Sequence, residues 1–460
     1  MKYNECMKMR KLFGTDGIRG KANAEPMTPI TILGIGQAFA KVLYETTSLK
    51  NGKPKIILGK DTRISGYIFE TALTSGLCSM GVDVYLIGPL PTPAIAHLVK
   101  SFGADGGIMI TASHNPAGDN GIKFFGHDGY KLSDDVEELI ERKFYSEELT
   151  PLVSIENLGK AYRINDAKGR YIEFAKASIN NVSLEGVSII LDCANGAAYD
   201  VAPLIFSELR AKVTIVNNKP DGFNINKECG ALHPEKLSEE ARKKKCIGLT
   251  FDGDADRVVM VDEEGDVVDG DEILAIVMQH LLPKNKVAGR NVVVTTYSNL
   301  GFDDFIKSIG GEVSRVENGD RYVIEEMRRK GYNLGGEKSG HIIFGDYTTT
   351  GDGIIAALQI LRIMKEKNMR LHELKQCMKK YPQVLINVNV KEKIPLHEID
   401  TINDVIKKVD NRMTMIGGRA FVRYSGTENV CRILAEGKNQ EEISLLANEI
   451  ADVIKGHLGA

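Results

Sequence analysis

Ser113 lies in a loop whose composition could present a nucleophilic hydroxyl group. The loop reads Thr-Ala-Ser-His-Asn-Pro and follows an apolar run at residues 107–111, which predicts a buried strand. Pro116 and the glycine two residues later predict a tight and exposed turn. A serine that carries a phosphoryl group needs such exposure and a nearby cation, for which Lys123 and His114 are the candidates. The alternative is a polar loop in which the serine only caps backbone groups.

A second loop carries three aspartates at alternate positions. Asp252, Asp254 and Asp256 follow an apolar run at residues 247–251, in the sequence Asp-Gly-Asp-Ala-Asp-Arg. Alternate carboxylates in one loop can converge on a single hard cation. Calcium is disfavoured because an EF-hand loop has glycine at its sixth position, where this chain has Arg257. Magnesium fits better beside a phosphate, since Mg²⁺ in proteins is usually held by a small number of carboxylates together with phosphate oxygens. A solvated acidic loop is the alternative.

Two further glycine-containing loops could bind a phosphorylated sugar. Residues 335–341 read Gly-Gly-Glu-Lys-Ser-Gly-His, in which Glu337 and Ser339 could accept from and donate to vicinal hydroxyls. The spacing of the glycines does not match a P-loop. Residues 423–428 read Arg-Tyr-Ser-Gly-Thr-Glu, and a guanidinium beside a glycine turn suits an anion. An ordinary glycine turn and an exposed arginine are the respective alternatives.

The elements predicted around these loops alternate between strands and helices. Strands are predicted at 55–59, 83–88, 107–111, 187–192, 212–216, 247–251, 291–296 and 312–316. Helices are predicted at 68–80, 92–102, 203–209 and 302–309. Such alternation indicates βαβ units with parallel strands, and ligands then bind at the carboxyl ends of the strands. The last part, with strands at 385–391 and 420–423 and a helix at 440–454, indicates a smaller α+β domain.

The predicted fold class is therefore α/β, with four domains. Three similar α/β domains with mixed, mainly parallel sheets are predicted at 1–158, 159–262 and 263–375, and a smaller C-terminal α+β domain at 376–460. Within this arrangement the four loops belong to four different domains. The first three loops each follow a strand, so three of the domains should face one central cleft.

Composition excludes several classes of function. The 460 residues are 43% hydrophobic and 26% charged, which is typical of a soluble multidomain protein. A net charge of −3 predicts no nucleic-acid partner. No apolar run reaches the roughly 18 residues of a membrane span, and the polar, basic start predicts no signal peptide, so we expect a cytoplasmic protein. Met7 or Met9 is an equally good start. Seven cysteines without paired spacing indicate neither disulfides nor a zinc site.

Taken in order, these loops resemble the α-D-phosphohexomutase family over essentially the whole chain. The resemblance also rests on Phe-Gly-Thr-Asp-Gly-Ile-Arg-Gly at 13–20 and Asp-Thr-Arg-Ile-Ser-Gly at 61–66. It implies that the serine is phosphorylated and donates to a sugar phosphate, through a sugar 1,6-bisphosphate intermediate that reorients and returns its other phosphate. The implied ligands of Mg²⁺ are the phosphate on Ser113 and the carboxylates of Asp252, Asp254 and Asp256.

The resemblance also assigns roles to the other loop residues. The residues implied around the reacting hydroxyl are Arg19, Lys123, Arg257 and His341. Lys123 and His341 are the better candidates for acid–base help, because arginine stays protonated. Glu337 and Ser339 match sugar-binding positions. The residues that match the grip on the phosphate not transferred are Arg423, Ser425, Gly426 and Thr427, and Arg432 could add a further positive charge.

Within the family, segments such as Pro-Met-Thr at 26–28 and Thr-Thr-Gly-Asp-Gly at 349–353 resemble the subgroup that acts on glucosamine phosphates. This implies an isomerase that interconverts glucosamine 6-phosphate and glucosamine 1-phosphate for amino-sugar nucleotide synthesis, as a monomer or homodimer. Ala255 and Lys338 depart from the glycine and glutamine common in that subgroup, and an inward Lys338 would repel an amino sugar. A phosphoglucomutase or phosphomannomutase with the same mechanism, or a metal-dependent sugar-phosphate phosphatase, are the alternatives.

Overall fold

The computed structural model describes residues 12–14, 16–46, 52–146, 152–425 and 429–459. By its contacts the chain divides into two units. The first comprises Met1–Tyr297 and Gly311–Cys377, and the second comprises Ser298–Gly310 and Met378–Ala460. None of the helices in the described ranges is long and apolar enough to cross a membrane. The predicted N-terminal extension and its alternative start methionines lie outside the described residues.

The first sheet of the larger unit has seven strands in the order β1-β2-β6-β5-β3-β4-β7. They are β1 Phe13–Gly14, β2 Gly17–Lys21, β3 Lys55–Lys60, β4 Asp83–Pro89, β5 Gly106–Ile110, β6 Asp119–Gly126 and β7 Ala161–Arg163. The helices of this part are α1 Pro29–Thr46, α2 Gly66–Ser79, α3 Thr92–Phe102 and α4 Asp134–Tyr145. Strands β5, β3, β4 and β7 pair in parallel, whereas β6, β2 and β1 continue the sheet antiparallel. Every residue of β5 is buried, as its unbroken apolar sequence predicts for a covered parallel strand.

Strand β6 is not among the strands that the sequence predicts. The segment pairs antiparallel with β5 and places Lys123 opposite Met109 and Ile122 opposite Ile110. The strand begins with Asp, Asn and Gly, which are rare in strands, so a search for apolar patterns does not find it. The serine loop is therefore the connection of a hairpin, which fixes both of its ends.

The second sheet has the order β12-β11-β10-β8-β9. Its strands are β8 Ser188–Asp192, β9 Lys212–Val216, β10 Ile247–Phe251, β11 Val258–Val261 and β12 Val267–Val268. The helices are α5 Ala167–Ala177, α6 Val201–Glu208 and α7 Glu235–Lys244. Strands β10, β8 and β9 are parallel, and β11 returns antiparallel to β10 with Phe251 opposite Val258. The three aspartates consequently occupy the tight turn between β10 and β11.

The third sheet has the order β14-β13-β15-β16. Its strands are β13 Asn291–Thr295, β14 Glu312–Val316, β15 Leu334–Gly336 and β16 Ile342–Phe344. The helices in this stretch of sequence are α8 Gly270–Leu281, α9 Leu300–Ser308, α10 Asp320–Lys330, α11 Gly353–Lys367 and α12 Leu371–Leu374. Strands β14, β13 and β15 are parallel and β16 is antiparallel to β15. A capping box between Asp269 and Glu272 starts α8.

The smaller unit contains an antiparallel sheet in the order β17-β19-β18. Its strands are β17 Gln383–Asn389, β18 Arg419–Tyr424 and β19 Val430–Glu436, and its helices are α13 Asp400–Met415 and α14 Gln440–Leu458. Helix α9 groups with this unit although the predicted boundary placed it with the third sheet. The Leu300 amide donates to Glu436 at 3.1 Å, and Arg419 donates to the Ser298 carbonyl at 2.5 Å. The side chain of Glu436 thereby caps the start of α9.

The predicted fold class is confirmed, with three mixed α/β sheets and a smaller α+β part. The predicted boundaries near residues 158, 262 and 375 stay predictions. Of the predicted elements, 92–102, 212–216, 247–251 and 312–316 match the observed bounds. The others shift by one to a few residues at their ends, because helix and strand termini depend on caps and pairing that an apolar pattern does not encode.

Candidate active site

Ser113 lies directly after β5, at the carboxyl end of a parallel strand. Its side chain donates a hydrogen bond to Asp252 Oδ2 at 2.6 Å, and its amide donates to Thr111 Oγ at 2.9 Å. The prediction of an exposed hydroxyl is wrong, because Ser113 is only 1% exposed. The aspartate loop covers it: a Cβ on Gly253 would lie 2.5 Å from the Ser113 carbonyl oxygen, so only glycine allows this approach. Ser113 also has a left-handed φ of 51°, a strained conformation that is concentrated at functional sites.

The loop that carries Ser113 is held by Arg63, whose side chain is fully buried. Its Nε donates to Asp61 Oδ2 at 2.9 Å. Its terminal nitrogens donate to the carbonyl oxygens of Ser113 at 3.0 Å, Asn115 at 2.8 Å and Asp119 at 3.0 Å, and to that of Pro116. The segment 61–66 contributed to the family resemblance, but sequence reasoning gave Arg63 no role. A charged Asp-x-Arg directly after an apolar strand is the signal that marks it.

Replacement of Arg63 by lysine is expected to destabilise the protein by about 3 kcal/mol, because an ammonium cannot reach the carbonyl groups that the guanidinium serves. Urea unfolding followed by circular dichroism measures this change. Arg142→Lys, at an exposed position of α4 in the same domain, is the control and should change the free energy of unfolding by less than about 0.5 kcal/mol. Equal stability of the Arg63 variant and the control would contradict the assignment of Arg63 as the support of the loop.

The three aspartates bring ligand oxygens within 4.8 Å of one another. Asp254 Oδ1 and Asp256 Oδ1 are buried, and neither has a hydrogen-bond partner among the described residues. Burial, together with the nearby carboxylates of Asp256 and Asp254, raises the pKa of Asp252 well above its usual range. Buried, unsatisfied carboxylate oxygens are costly without a cation, and oxygen ligands are those that Mg²⁺ prefers. These residues therefore fit a magnesium site. Ala255, with a φ of 54°, occupies the left-handed position that the usual glycine would fill without strain.

A second acidic cluster in the described chain consists of Asp262, Asp266 and His372. Here a lysine of the chain supplies the cation. Lys375 Nζ lies 2.8 Å from Asp262 Oδ2 and 3.1 Å from Asp266 Oδ2. His372 Nδ1 is 2.9 Å from Asp262 Oδ2. Unlike the loop beside Ser113, this cluster has no buried side-chain oxygen that lacks a hydrogen-bond partner among the described residues, so the loop is the better candidate for a metal.

Lys123 reaches the same carboxylates from β6. Its Nζ lies 2.9 Å from Asp254 Oδ2, 3.2 Å from Asp256 Oδ2 and 3.4 Å from Asp16 Oδ2. Burial alone would lower the pKa of Lys123, but Asp16, Asp254 and Asp256 raise it well above its usual value. In this arrangement Lys123 remains an ammonium ion, so the geometry favours charge compensation over the acid–base role predicted for it. Lys123 approaches the Oδ2 atoms, so the Oδ1 atoms of Asp254 and Asp256 are the ones that remain for a metal.

Two histidines lie beside the reacting centre. His114 Nδ1 is 3.3 Å from Ser113 Oγ, but burial and the charges of Arg257 and Arg19 lower the pKa of His114 to about 4. This environment disfavours His114 as the cation beside Ser113 and leaves Lys123 as the better of the two candidates. His341 is buried, accepts the Gly351 amide at Nε2 over 3.0 Å and places Nδ1 3.6 Å from Asp256 Oδ1. Burial lowers its pKa, yet Asp256 and Asp320 raise it above the usual value.

A cavity of about 870 Å³ in the larger unit is lined by part of the predicted set, whereas Ser113, Lys123, Asp252 and Asp254 are not among its lining residues. Those that line it are Arg19, Arg257, Asp256, Glu337, Ser339 and His341. Ser339 Oγ donates to Glu337 Oε2 at 3.2 Å, and Lys338 lines the cavity beside them. Gly340, at a φ of 92°, brings this loop onto β11, because a Cβ there would lie 2.1 Å from the Val258 carbonyl oxygen. The glycine loop at 335–341 is thus packed against the start of β11, the strand that follows the aspartate loop.

The lining residues to which the sequence gave no role include Tyr297, Asn318 and Asp320. Tyr297 follows β13, and the other two follow β14, so both segments leave the carboxyl ends of parallel strands. The rule that ligands bind at this edge could have found them once the strands at 291–296 and 312–316 had been predicted. They carry no recognisable spacing of their own, which is why a motif search passes over them.

Thr92, at the start of α3, orients one of the metal-loop carboxylates. Its Oγ1 donates to Asp254 Oδ2 at 2.6 Å, and its amide donates to the Asp254 carbonyl at 2.9 Å. Thr92→Val keeps the shape but removes the hydroxyl donor. We expect the dissociation constant for Mg²⁺, measured by calorimetry, to rise about 10-fold or more. Loss of other groups that hydrogen-bond to metal ligands has an effect of this size. Thr92→Ser keeps the donor and serves as the control. Equal Mg²⁺ affinity of the valine and serine variants would refute this role.

The phosphate-gripping residues predicted in the last domain belong to the smaller unit. Arg423 is exposed and lies opposite Arg432 in the β18–β19 register, so both guanidinium groups occupy one face of the sheet. The Ser425 amide donates to the Val430 carbonyl at 2.8 Å, and Lys393 Nζ donates to the Ser425 carbonyl at 2.8 Å. Like charges placed in register suit an anionic ligand. Gly426 and Thr427 lie outside the described residues.

Comparison with known families matches four domain models in sequence order. They are the α/β/α domain I of phosphoglucomutase/phosphomannomutase over residues 10–150, domain II over 169–265, domain III over 269–381 and the C-terminal domain over 385–453. A relative from Geobacter sp. (strain M21), named phosphoglucosamine mutase, is 49% identical over 456 residues, which cover 98% of this chain and 99% of the relative. The match thus extends over the whole arrangement of domains.

Solved structures show the same fold at lower identity. A phosphoglucomutase/phosphomannomutase family protein from Burkholderia thailandensis superposes with a TM-score of 0.80 at 22% identity, covering 98% of this chain and 99% of that one. An Aspergillus fumigatus N-acetylphosphoglucosamine mutase, solved with GlcNAc-6P and magnesium, has a TM-score of 0.67 at 19% identity, covering 98% of each chain. At this identity the likeness concerns the fold alone.

Proposed function

Because the chain belongs to the phosphoglucomutase/phosphomannomutase family, we propose that it is a mutase that interconverts glucosamine 6-phosphate and glucosamine 1-phosphate through phosphorylated Ser113. The observation that carries the proposal is the 2.6 Å contact between Ser113 Oγ and Asp252, inside the only buried aspartate triad of the described residues. A hydroxyl held against a cation site can carry a phosphoryl group. It is poorly placed for acyl transfer, because its partner is a carboxylate.

The proposed reaction consists of two phosphoryl transfers. In the first, the bond between phosphorus and Ser113 Oγ breaks while a bond from phosphorus to the sugar hydroxyl oxygen forms, and the hydroxyl proton ends on Ser113 Oγ. The resulting sugar 1,6-bisphosphate reorients, and the second transfer returns its other phosphate to the serine. Phosphoryl transfer is catalysed mainly by positioning and by charge compensation. The buried ammonium of Lys123 and the guanidinium groups of Arg19 and Arg257, which line the cavity, supply that compensation.

The carboxylates of Asp252, Asp254 and Asp256 would hold Mg²⁺, which when bound offsets the negative charge of the phosphate. His341 is the side chain we assign to proton movement, because its ring lines the cavity and imidazole changes charge near neutral pH. Glu337 and Ser339 are assigned to the sugar hydroxyls, and Arg423 and Ser425 to the phosphate that is not transferred. These assignments follow the family resemblance and the positions described above.

One observation favours a second candidate, a phosphoglucomutase or phosphomannomutase with the same mechanism. Lys338 lines the cavity beside Glu337, where its ammonium would oppose the ammonium of an amino sugar. Supporting the glucosamine assignment instead is the 49% identity with a relative named phosphoglucosamine mutase over almost the whole chain. Lys338→Gln removes the opposing charge and should lower the KM for glucosamine 6-phosphate more than that for glucose 6-phosphate.

The deciding experiment compares turnover of glucosamine, glucose and mannose 6-phosphates by phosphorylated enzyme with Mg²⁺ and glucose 1,6-bisphosphate. We expect kcat/KM to be highest for glucosamine 6-phosphate. A higher value for either hexose would transfer the assignment to the second candidate. Release of inorganic phosphate at a rate comparable with isomerisation would identify a phosphatase and overturn the mutase proposal.

A further inference from the structure

Lys131 lies between two carboxylates that come from different sheets and line the cavity. Its Nζ is 2.5 Å from Asp16 Oδ1, in the turn between β1 and β2, and it also pairs with Asp320 Oδ2 at the start of α10. The Lys131 side chain is 14% exposed, so water screens these pairs little. Both Asp16 and Asp320 border the cavity, whereas Lys131 is behind them and is not among its described lining residues.

Each of the two carboxylates supports a residue that faces the reacting centre. Asp16 accepts a hydrogen bond from Arg19, three residues along the same hairpin. Asp320 Oδ2 is 3.5 Å from His341 Nε2, the ring atom that accepts the Gly351 amide, so the carboxylate lies beside the ring without a hydrogen bond to it. One ammonium group therefore holds both the carboxylate that binds Arg19 and the carboxylate that borders the His341 ring. Without that ammonium Asp16 would keep Arg19 and Lys123 as partners, but the two carboxylates would lose their shared cation and repel each other.

The start of α10 is joined to the segment after β6 by more contacts than those of Lys131. Arg321 pairs with Asp134, and its Nη2 lies 2.8 Å from Glu137 Oε1 and 3.1 Å from the Leu132 carbonyl. Arg328 forms an exposed pair with Asp128 at 3.2 Å across the same join. The start of α10 is thus braced against the segment after β6 by several contacts. Removal of the Lys131 charge should leave the fold intact and disturb the alignment of the cavity wall.

We propose that Lys131 is a positioning residue for phosphoryl transfer, which holds Arg19 and His341 in register through Asp16 and Asp320. The inference rests on the proposed function for its reaction but not for its sugar. In both half-reactions of a mutase a phosphoryl group lies between the two sides of the cavity that carry Arg19 and His341. Both half-reactions should therefore slow when these side chains lose their relative positions. Lys131 itself is not among the lining residues of the cavity, and it acts through the two aspartates that are.

The test measures the rate at which labelled glucose 1,6-bisphosphate phosphorylates Ser113 in a single turnover, with Mg²⁺ present. This readout does not require isomerisation, so it stays informative if the enzyme proves to be a phosphatase. We expect Lys131→Met to slow the transfer about 100-fold, since a displacement near 1 Å can cost that factor. The half-saturating concentration of the bisphosphate should change far less. Lys131→Arg, which keeps the charge and can donate to both carboxylates, should recover most of the rate.

Arg328→Met removes the exposed ion pair across the same join and is the matched control, with an expected change in rate below about twofold. Thermal unfolding of all variants separates positioning from folding. A rate for Lys131→Met within threefold of the wild type would overturn the proposal. So would equal losses in Lys131→Met and Arg328→Met, or a loss in Lys131→Met that merely follows the unfolded fraction. Absence of isomerisation by the wild type, with normal labelling of Ser113, would instead reject the proposed function.

Discussion

Replacement of Ser113 by alanine is expected to lower the mutase kcat by at least about 10⁴-fold, as removal of a covalent catalytic residue does. The hydroxyl that carries the phosphoryl group is lost, and none of the neighbouring side chains can replace it. Asp252 loses the donor that now lies 2.6 Å away, but Mg²⁺ binding by the three carboxylates should persist. Incubation with labelled glucose 1,6-bisphosphate should leave the variant unlabelled, whereas the wild type should take up one phosphate per chain.

The matched control is Ser101→Ala, which removes an exposed serine hydroxyl of the same domain at the end of α3. Ser101 hydrogen-bonds only to Arg170 among the contacts described, at 3.2 Å, and its variant should keep wild-type labelling and turnover. Labelling of Ser113→Ala at the wild-type level would show that another residue carries the phosphate. Unchanged turnover without any labelling would exclude a phosphoenzyme mechanism altogether.

Replacement of Asp254 by asparagine is expected to be the second most damaging change and to lower kcat about 10³-fold at saturating substrate. Asparagine keeps the contact with Thr92 at one atom, yet the metal site loses one of three negative charges. Lys123 would then be paired with one carboxylate fewer, and its ammonium should bind the remaining carboxylates more tightly. Titration with Mg²⁺ should show a higher half-saturating concentration, and chelation should abolish wild-type activity reversibly.

Asp262→Asn provides the contrasting variant, because Asp262 is equally buried but is paired with Lys375 and His372. It should lower the free energy of unfolding by about 3 kcal/mol, since Lys375 loses the buried one of its two carboxylate partners, and leave the Mg²⁺ dependence of turnover unchanged. If Asp254→Asn retained the Mg²⁺ response of the wild type, the aspartate loop would not be the metal site. An altered Mg²⁺ response in Asp262→Asn would move the site to the second cluster.

The chemistry of the site was determined by the sequence, because it depends on residue types at short spacing. Alternate aspartates after an apolar run predict a carboxylate cluster whatever surrounds them, and Asp252, Asp254 and Asp256 do converge. The location of Ser113 and Glu337 after strands follows from the same local pattern. Elements with strong patterns, such as 92–102 and 212–216, match the structure because burial of one apolar face or run is a local property.

Other features depend on contacts between residues far apart in the chain, and no local pattern encodes them. Strand β6 forms because β5 lies beside it, although its own sequence begins with polar residues and glycine. The burial of Ser113 depends on Gly253, which is distant in sequence. The same is true of Arg63, whose fork meets four carbonyl groups only after the hairpin has closed.

The charges of the site were likewise decided by the tertiary structure. The sequence marks Lys123, His114 and His341 as titratable side chains near a serine, without showing which carboxylates or cations approach them. Three carboxylates keep Lys123 charged, whereas burial between arginines keeps His114 neutral. A pKa depends on burial and on neighbours within a few ångströms, and folding alone brings such neighbours together. Residue types were thus readable from the sequence, and their protonation states were set by the fold.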